Sequence, residues 1–290
     1  MPPATLTKLD SVTFDELVRQ QQPLQAVDPV FDLSSITLIT PSPMVQIAAV
    51  CHALAEEGRT PTVKLGDGVR GYLERCGFFA VVGDWCEREP QDEWRSAVYA
   101  SRRGSNPMLI ELTYLRDGSS LPDLLTKVVW VLRYRLKYAK YDAYDIATVV
   151  SELCQNTFDH NASTAGFVAM QVYGKEEKRF LEIAVSDHGG GLLATLLRNP
   201  KNGAIRTDLD AIKAAIKLGT SEHDDPTRGT GLYHLLNIAY KHKGSVQIKS
   251  GGSKVRYRMD KEEGWAFAVT AIPGVHITVS LPSKAARAAA

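Results

Sequence analysis

The sequence predicts an α+β protein in which a two-layer α/β sandwich follows a small N-terminal α/β unit. Residues 31–80 alternate between strand and helix patterns, and residues 105–283 combine long helical patterns with short alternating strands. A charged stretch broken by proline and glycine, residues 87–107, separates the two regions. We therefore expect one domain at 1–95, a linker at 96–104, a second domain at 105–283 and a disordered tail at 284–290.

The N-terminal region shows the pattern strand, helix, strand, helix. "FDLSSITLI" at residues 31–39 is typical of a strand, and "MVQIAAVCHALAEEGR" repeats apolar residues at helical spacing up to Gly58. "TPTVKLG" predicts a second strand, and "VRGYLERCGFF" predicts a short second helix. Such an alternation over about 50 residues indicates a small α/β unit.

The pattern of the second region predicts a strand at "MLIELTYL" and then a long helix over about residues 121–139. Another helix follows and carries residues 151–161. A further helix is expected near residues 230–242, and strands are expected near residues 166–173, 179–186, 245–250, 253–258, 265–272 and 275–281. Antiparallel strand pairs with helices kept to one side indicate the two-layer sandwich.

Composition and charge argue against several classes of protein and partner. The 34 basic and 33 acidic residues nearly cancel to a net charge of +1, which does not favour nucleic acid or an anionic membrane as partner. No apolar run is long enough to cross a bilayer, and the N-terminus lacks a signal pattern, so we expect a cytoplasmic protein. The four cysteines have no metal-binding spacing and are expected to be reduced, buried thiols.

The segment "SELCQNTFDHN" places polar groups on a helix that follows the apolar run "YDIATVV". Glu152, Asn156 and His160 are spaced i, i+4, i+8 and share one stripe, with Asp159 beside them. A carboxylate and an amide oxygen on adjacent turns suit a hydrated Mg²⁺ ion, and Glu152 could act as a base. A polar stripe is more often simply solvated, so this segment needs support from elsewhere in the chain.

Two glycine-rich segments supply that support. In "LEIAVSDHGGGL", an alternating strand ends at Asp187, whose carboxylate can accept a hydrogen bond from an exocyclic amine, and the glycines that follow allow close backbone approach. In "TRGTGLYHLLNIAYKHKG", Gly229 and Gly231 precede an apolar-periodic helix, whose free N–H groups can hold an anion. Arg228 adds a charge suited to phosphate oxygens.

Together, "ELCQNTFDHN", "DHGGG" and "RGTGL" resemble the N, G1 and G2 boxes of the ATPase superfamily that includes gyrase, Hsp90, histidine kinases and MutL. The resemblance covers about residues 105–283 and implies a sandwich of the Bergerat type that binds ATP and Mg²⁺. By position, Glu152 is similar to the catalytic N-box acid, Asn156 to its Mg²⁺ ligand and Asp187 to the residue that binds the adenine amino group. The other nucleotide-binding candidates implied by these boxes are Asp159, His160, Gly189, Gly191, Arg228, Gly229, Thr230, Gly231 and Leu232.

The resemblance also places a mobile ATP lid at residues 192–228, a stretch of loop-rich composition. The chain departs from the family near its end. The family commonly has a Gly-Thr pair entering the last strand, whereas this chain has Val275 after Gly274, which removes a hydroxyl expected to hold the adenine through water. Thr278 lies in the same strand, but the sequence does not show that it compensates.

The first region resembles a STAS domain, the module of anti-sigma factor antagonists, over about residues 28–80. In that family, a serine in an Asp-Ser-Ser-Gly turn accepts phosphate from a kinase of the same ATPase superfamily. Here the turn reads "TPSPM", and proline occupies the acceptor position. Ser42 is the neighbouring hydroxyl that keeps an internal phosphoryl acceptor under consideration.

The sequence leaves three activities open. The first is a Mg²⁺-dependent ATPase with Glu152 as base. Closure of its lid would switch the binding of a partner, or self-association through the STAS-like region. The second is a serine/threonine kinase, resembling the anti-sigma factor kinases, that acts on a separate protein. The third is a non-hydrolysing ATP-binding module, which has no chemical need for Glu152. A sensor histidine kinase is disfavoured because no histidine lies between His52 and His160.

Overall fold

The computed structural model describes residues 6–91, 106, 108–159, 166–175, 178–217 and 229–284. Within these residues the chain is a mixed α/β protein with three sheets. The predicted linker at 96–104 and the predicted tail, apart from Lys284, lie outside the described residues. No helix in the described ranges is both long enough and apolar enough to span a membrane.

The N-terminal half contains two small parallel sheets. Val30–Leu33 pairs in parallel with Thr62–Leu65, which also pairs in parallel with Glu87–Glu89, and Lys8–Leu9 pairs in parallel with Leu38–Ile39 in a separate two-stranded sheet. The elements of this half are β1 Lys8–Leu9, α1 Phe14–Gln21, β2 Val30–Leu33, β3 Leu38–Ile39, α2 Pro41–Glu56, β4 Thr62–Leu65, α3 Asp67–Arg75, α4 Phe78–Val82 and β5 Glu87–Glu89.

The single strand predicted at residues 31–39 is two strands in the structure. A turn separates β2 from β3, and the Asp32 carboxylate stabilises it by accepting hydrogen bonds from the backbone N–H and the hydroxyl of Ser34 at 2.9 and 2.6 Å. The helix predicted after it is present as α2, which begins with Pro41, a favoured residue at the first helical position.

The second half is built around one larger sheet. Its elements are β6 Leu109–Leu115, α5 Leu121–Trp130, α6 Lys140–Asp159, β7 Gly166–Tyr173, β8 Phe180–Asp187, α7 Gly191–Leu196, α8 Asp208–Ala215, α9 Gly231–Lys241, β9 Ser245–Arg258 and β10 Glu263–Pro282. A π-helical segment, Val131–Arg135, continues α5. The strand order is β6-β7-β8-β10-β9, and every neighbouring pair is antiparallel.

The last two strands are longer than the sequence patterns indicate. Four short strands were expected between residues 245 and 281, but β9 runs through Gly251 and Gly252, and β10 runs through Pro273 and Gly274. The pairing of β9 with β10 shifts register on both sides of Ile272. These shifts in register allow the strands to continue through Gly251, Gly252, Pro273 and Gly274, although glycine and proline often end a strand.

One face of the five-stranded sheet packs against the helices of the second half. Alternate residues of the central strands, such as Val168 and Val185, share a buried apolar cluster with residues of α5, α6, α8 and α9. This cluster provides the rigid base from which α6 and α9 present their polar side chains.

The other face of the sheet packs against α2. Phe167, Ala169 and Ala184, which alternate with the residues of the first face, belong to a second apolar cluster together with α2 residues such as Met44 and Ile47. The residues of α2 from 41 to 54 are all buried, so this helix is enclosed around its whole circumference over that range. The sheet is therefore covered by helices on both faces.

Buried polar contacts fix the start of α2 on the sheet. The backbone N–H of Ser42 donates to Oε1 of Glu182 at 3.2 Å, and the hydroxyl of Thr278 donates to Oγ of Ser42 at 2.7 Å. Ser42 has 0% of its surface exposed. Burial raises the pKa of Glu182, and hydrogen bonds from Thr40 and Ser42 oppose that effect.

Helix α1 is attached to the sheet by a buried ion pair. The Nζ of Lys249 lies 2.6 Å from Oδ1 of Asp15, and Lys254 contacts the other oxygen of the same carboxylate. Burial lowers the pKa of Lys249, while Asp15 opposes that effect. Removing Asp15 alone would leave a buried cation without its main counter-charge, which is costly.

Candidate functional site

Helices α6 and α9 bring the first and third sequence segments together. The two helices pack side by side, and α9 begins at Gly231. A methyl group built on Gly231 would lie 3.4 Å from Oε2 of Glu152 and 3.4 Å from Nδ2 of Asn156. The backbone at the start of α9 therefore lies close to both polar residues of the α6 stripe.

The Glu152 carboxylate has an oxygen without a hydrogen-bond partner. Oε2 is buried, and no described residue forms a hydrogen bond with it. Nδ1 of His234 lies 3.7 Å from this oxygen, beyond normal hydrogen-bond length. Buried polar atoms in proteins are nearly always satisfied, so an oxygen of this kind fits a bound water or a hydrated cation as its partner.

Asp187 ends strand β8 in a fixed position. Its Oδ1 accepts hydrogen bonds from the backbone N–H groups of Gly189 at 2.8 Å and Val275 at 3.2 Å. Gly274 has a φ of +94°, and a methyl group there would lie only 1.9 Å from the backbone oxygen of Asp187. A glycine is thus required at position 274 for β10 to pass this close to the carboxylate.

The turn after Asp187 is held by a residue that sequence reasoning did not identify. Gly191 has a φ of +78° and begins α7, and the next residue, Leu192, donates its N–H to Oγ of Ser250 at 2.8 Å. Ser250 lies on β9, directly opposite Val275 of β10. In the sequence, the one indication of this role for Ser250 is its position immediately before the Gly251–Gly252 pair.

The N-terminus of α9 is suited to bind an anion through its backbone N–H groups. Gly229 has a φ of +76°, and Thr230, the residue before the helix, makes no side-chain hydrogen bond that caps it. The first N–H groups of a helix have no partner within the helix, and their positive dipole end attracts phosphate. The side chain of Leu232 is buried in the main apolar cluster, so only its backbone faces this region.

Part of the predicted site lies outside the described residues. This applies to the side chain of Asp159, to His160, to Arg228, and to residues 218–228 of the predicted lid. The remainder of the predicted lid segment contains α7 and α8. Helix α8 packs on β9, and its Asp208 carboxylate accepts a hydrogen bond from the N–H of Gly252 at 2.8 Å.

Thr278 does not replace the hydroxyl missing at position 275. Its side chain is buried against α2, where its hydroxyl donates to Ser42. Val275 contributes its backbone N–H to Asp187, and its side chain packs against the main apolar cluster. The hydroxyl of Ser250 lies beside this turn, and its Oγ accepts a hydrogen bond from the N–H of Leu192.

The predicted thiols and histidines can also be located. All four cysteines are free and buried, as expected. His188, to which the sequence assigned no role, contacts a carboxylate of α2: its Nε2 lies 3.0 Å from Oε2 of Glu56. His234 lies beside Glu152, as described above.

No protein-family model matches the chain, and no curated protein matches it. A functional assignment therefore depends on the three sequence segments and on the contacts between the elements that carry them.

Proposed function

We propose that the chain binds Mg²⁺·ATP in a Bergerat-type site and hydrolyses it to switch the binding of a protein partner or its own self-association. The observation that carries this proposal is the approach of Gly231, at the N-terminus of α9, to Glu152 and Asn156 of α6. That contact places a helix N-terminus suited to phosphate next to a carboxylate and an amide suited to a hydrated cation.

In this proposal each residue has one role. The amide oxygen of Asn156 would hold Mg²⁺, an ion that would neutralise charge on the phosphate oxygens. Glu152 orients and deprotonates the attacking water, a role that suits a carboxylate oxygen with no hydrogen-bond partner among the described residues. The N–H groups at the start of α9 bind phosphate oxygens, and Gly229 permits the loop to approach them closely.

Asp187 is the proposed adenine-binding residue. Two backbone N–H groups hold its carboxylate in one orientation, which prepares it to accept a hydrogen bond from an exocyclic amine without losing side-chain entropy on binding. The residues Gly189, Gly191 and Ser250 shape the turn beneath the base. Asp159, His160, Arg228 and Thr230 remain nucleotide-binding candidates on the sequence resemblance alone.

The N-terminal half is proposed to be a STAS-like module that regulates or docks. Ser42 is fully buried, and its Oγ accepts a hydrogen bond from Thr278, so its hydroxyl is not accessible to the γ-phosphate of a nucleotide in this arrangement. This favours a separate protein, rather than Ser42, as any phosphoryl acceptor. Four free, buried cysteines agree with a reducing compartment, and we propose that the protein acts in the cytoplasm.

The main alternative is a serine/threonine kinase of the anti-sigma factor type. Phosphoryl transfer to water and to a serine hydroxyl require the same positioned base and the same phosphate contacts, so Glu152 serves either reaction. A non-hydrolysing ATP-binding module is the second alternative. The inaccessible hydroxyl of Ser42 argues against this residue as the acceptor in the kinase alternative.

Phosphate release from Mg²⁺·ATP, measured together with nucleotide affinity, tests the proposal. We expect Glu152→Gln to keep ATP binding and to lower turnover on the order of 100-fold or more. Asn156→Ala should lose Mg²⁺-dependent binding. The control is Gln155→Ala, an exposed neighbour on the same helix, which should leave both properties unchanged.

Each outcome has a distinct meaning. Full turnover in both Glu152→Gln and Asn156→Ala would exclude this site as the catalytic one. Tight ATP binding by the wild type without phosphate release would favour the two alternatives over the ATPase. Transfer of labelled phosphate to a protein in a cell extract, absent with Glu152→Gln, would then identify the kinase.

A further inference from the structure

Three potential metal ligands converge where α2 meets the end of β8. His52 and Glu56 lie on α2, and His188 is the residue immediately after Asp187. One nitrogen of each histidine and one carboxylate oxygen all lie within 4.8 Å of one another. We infer that these three residues form a binding site for a divalent transition metal ion of the Zn²⁺ class.

The distances between the ligand atoms suit a tetrahedral ion. Oε2 of Glu56 lies 3.0 Å from Nε2 of His188, and Oε1 of Glu56 lies 3.8 Å from Nδ1 of His52. Zn²⁺ bonds of about 2.0–2.1 Å at the tetrahedral angle separate neighbouring ligand atoms by about 3.3 Å, which lies between these two values. All three ligand atoms lie within 4.8 Å of one another, so side-chain rotation can bring them to a single ion.

The backbone already holds two of the ligands in place. His52 and Glu56 are spaced i, i+4 on α2 and therefore project from the same side of that helix. Because α2 is packed against the sheet along its length, this pair faces the turn after β8. His188 completes the group from a position 132 residues further along the chain than Glu56.

The nitrogen of His52 that faces the cluster lacks a hydrogen-bond partner. Nδ1 is buried and forms no hydrogen bond with any described residue, whereas Nε2 lies 3.4 Å from the hydroxyl of Tyr114. A partner on the far nitrogen of an imidazole orients the ring and selects the tautomer that exposes the other nitrogen to a metal. A buried nitrogen of this kind needs a partner, and a metal ion would supply one.

The surroundings favour an open site rather than a closed structural cage. His52 and His188 are both buried, and the His52 ring centroid lies 4.3 Å from that of Trp85. Glu56 is 49% exposed, so solvent can reach the cluster from that side. Three protein ligands with one accessible side leave the fourth position of a tetrahedral ion to water.

The ligand set also indicates which ion would bind. Two imidazoles and one carboxylate suit Zn²⁺, Co²⁺ or Ni²⁺, whereas Mg²⁺ and Ca²⁺ prefer all-oxygen sites. The inferred site is therefore chemically distinct from the proposed Mg²⁺ position at Asn156. It does not depend on nucleotide binding, and the two proposals can fail separately.

Titration of chelator-treated full-length protein with Co²⁺, without nucleotide, tests the inference. We expect one Co²⁺ per chain, the visible absorption of a tetrahedral ion, quenching of tryptophan fluorescence from Trp85, and displacement by Zn²⁺. Glu56→Gln should weaken Co²⁺ affinity by roughly tenfold or more, because changes even to residues that only support metal ligands cost about 10- to 100-fold. His52→Gln should have a similar effect.

Glu57→Gln is the matched control, because it makes the same chemical change one residue further along, on a carboxylate outside the cluster that pairs with Arg59. It should bind Co²⁺ as the wild type does. Since Glu56 is exposed, its replacement is not expected to prevent folding. Co²⁺ binding that is equal in wild type, Glu56→Gln and His52→Gln, or no stoichiometric binding at all, would overturn the inference.

Discussion

A methyl group at position 231 would stand 3.4 Å from Oε2 of Glu152, so the first residue of α9 determines how much space the Glu152 carboxylate has. The same methyl group would be equally close to Nδ2 of Asn156. In the proposed site, the attacking water and the cation occupy the region between these groups. A side chain at position 231 would intrude on that region without disturbing the fold.

Gly231→Ala should therefore reduce activity while preserving stability. Its φ lies outside the left-handed range, and alanine is a better helix former than glycine, so the free energy of unfolding should change by less than about 1 kcal/mol. Phosphate release should fall roughly tenfold or more, because small displacements of reacting groups are costly. Gly118→Ala, where a methyl group meets nothing within 4 Å, is the control. Unchanged turnover in Gly231→Ala would contradict the proposed position of the phosphates.

Gly274→Ala should destabilise the protein by at least about 2 kcal/mol, because it combines backbone strain with a steric clash. The φ of +94° disfavours any side chain, and the methyl group would lie 1.9 Å from the backbone oxygen of Asp187. Gly58→Ala separates the two effects, since Gly58 has a φ of +74° but no atom within 4 Å. Urea denaturation should show a clearly larger loss at position 274, and equal losses would argue against the close approach of β10 to Asp187.

Asp187→Asn should weaken ATP binding through the base. The amide can still accept the hydrogen bonds from Gly189 and Val275 with its oxygen, but its NH₂ group repels the donor on adenine. We expect the preference for ATP over GTP to shrink, as measured by competition binding. Asp208→Asn makes the same change on another carboxylate that accepts a backbone N–H, and it should leave that preference intact. A preference retained in Asp187→Asn would remove this residue from the base site.

His276 should make the protein less stable in mild acid. Its pKa is lowered to about 3 from 6.5, first by burial and then by Lys249, which lies directly opposite on β9. A depressed pKa means that the folded state keeps the ring neutral. The stabilisation is therefore complete above the unfolded pKa and is lost as the pH falls through the range between the two values.

Lowering the pH from 7 to 5 should reduce the free energy of unfolding by about 2 kcal/mol, because the unfolded state protonates His276 and the folded state does not. The measurement is a series of urea denaturation curves over that range for the wild type and His276→Leu. The leucine variant should show a flatter dependence on pH, because it has no ring to protonate. Parallel pH profiles would show that the buried ring does not control acid stability.

The sequence identifies some of these features and not others for physical reasons. Helix α2, helix α6 and strand β7 are predicted well because their apolar residues repeat at the spacing of one element. Helix α8 was missed inside a polar segment, although Thr207, which accepts a hydrogen bond from the N–H of Asp210, is a standard helix-start signal. Local patterns thus predict most of the elements.

Contacts between distant parts of the chain were not predictable. A helix that is buried on every side, such as α2 over residues 41–54, gives no indication of which surfaces it contacts, so its packing on the second face of the sheet could not be inferred. The same holds for the hydrogen bond between Leu192 and Ser250 and for the approach of His188 to Glu56. The three polar segments could be recognised, but only tertiary structure shows that Gly231 reaches Glu152.

The position of α2 has a consequence for how the molecule unfolds. Because the second apolar cluster contains residues of both halves, neither half can lose its structure without exposing apolar surface on the other. The two halves should therefore melt in one cooperative transition. Either half produced alone should expose an apolar sheet face or an apolar helix to solvent and tend to aggregate.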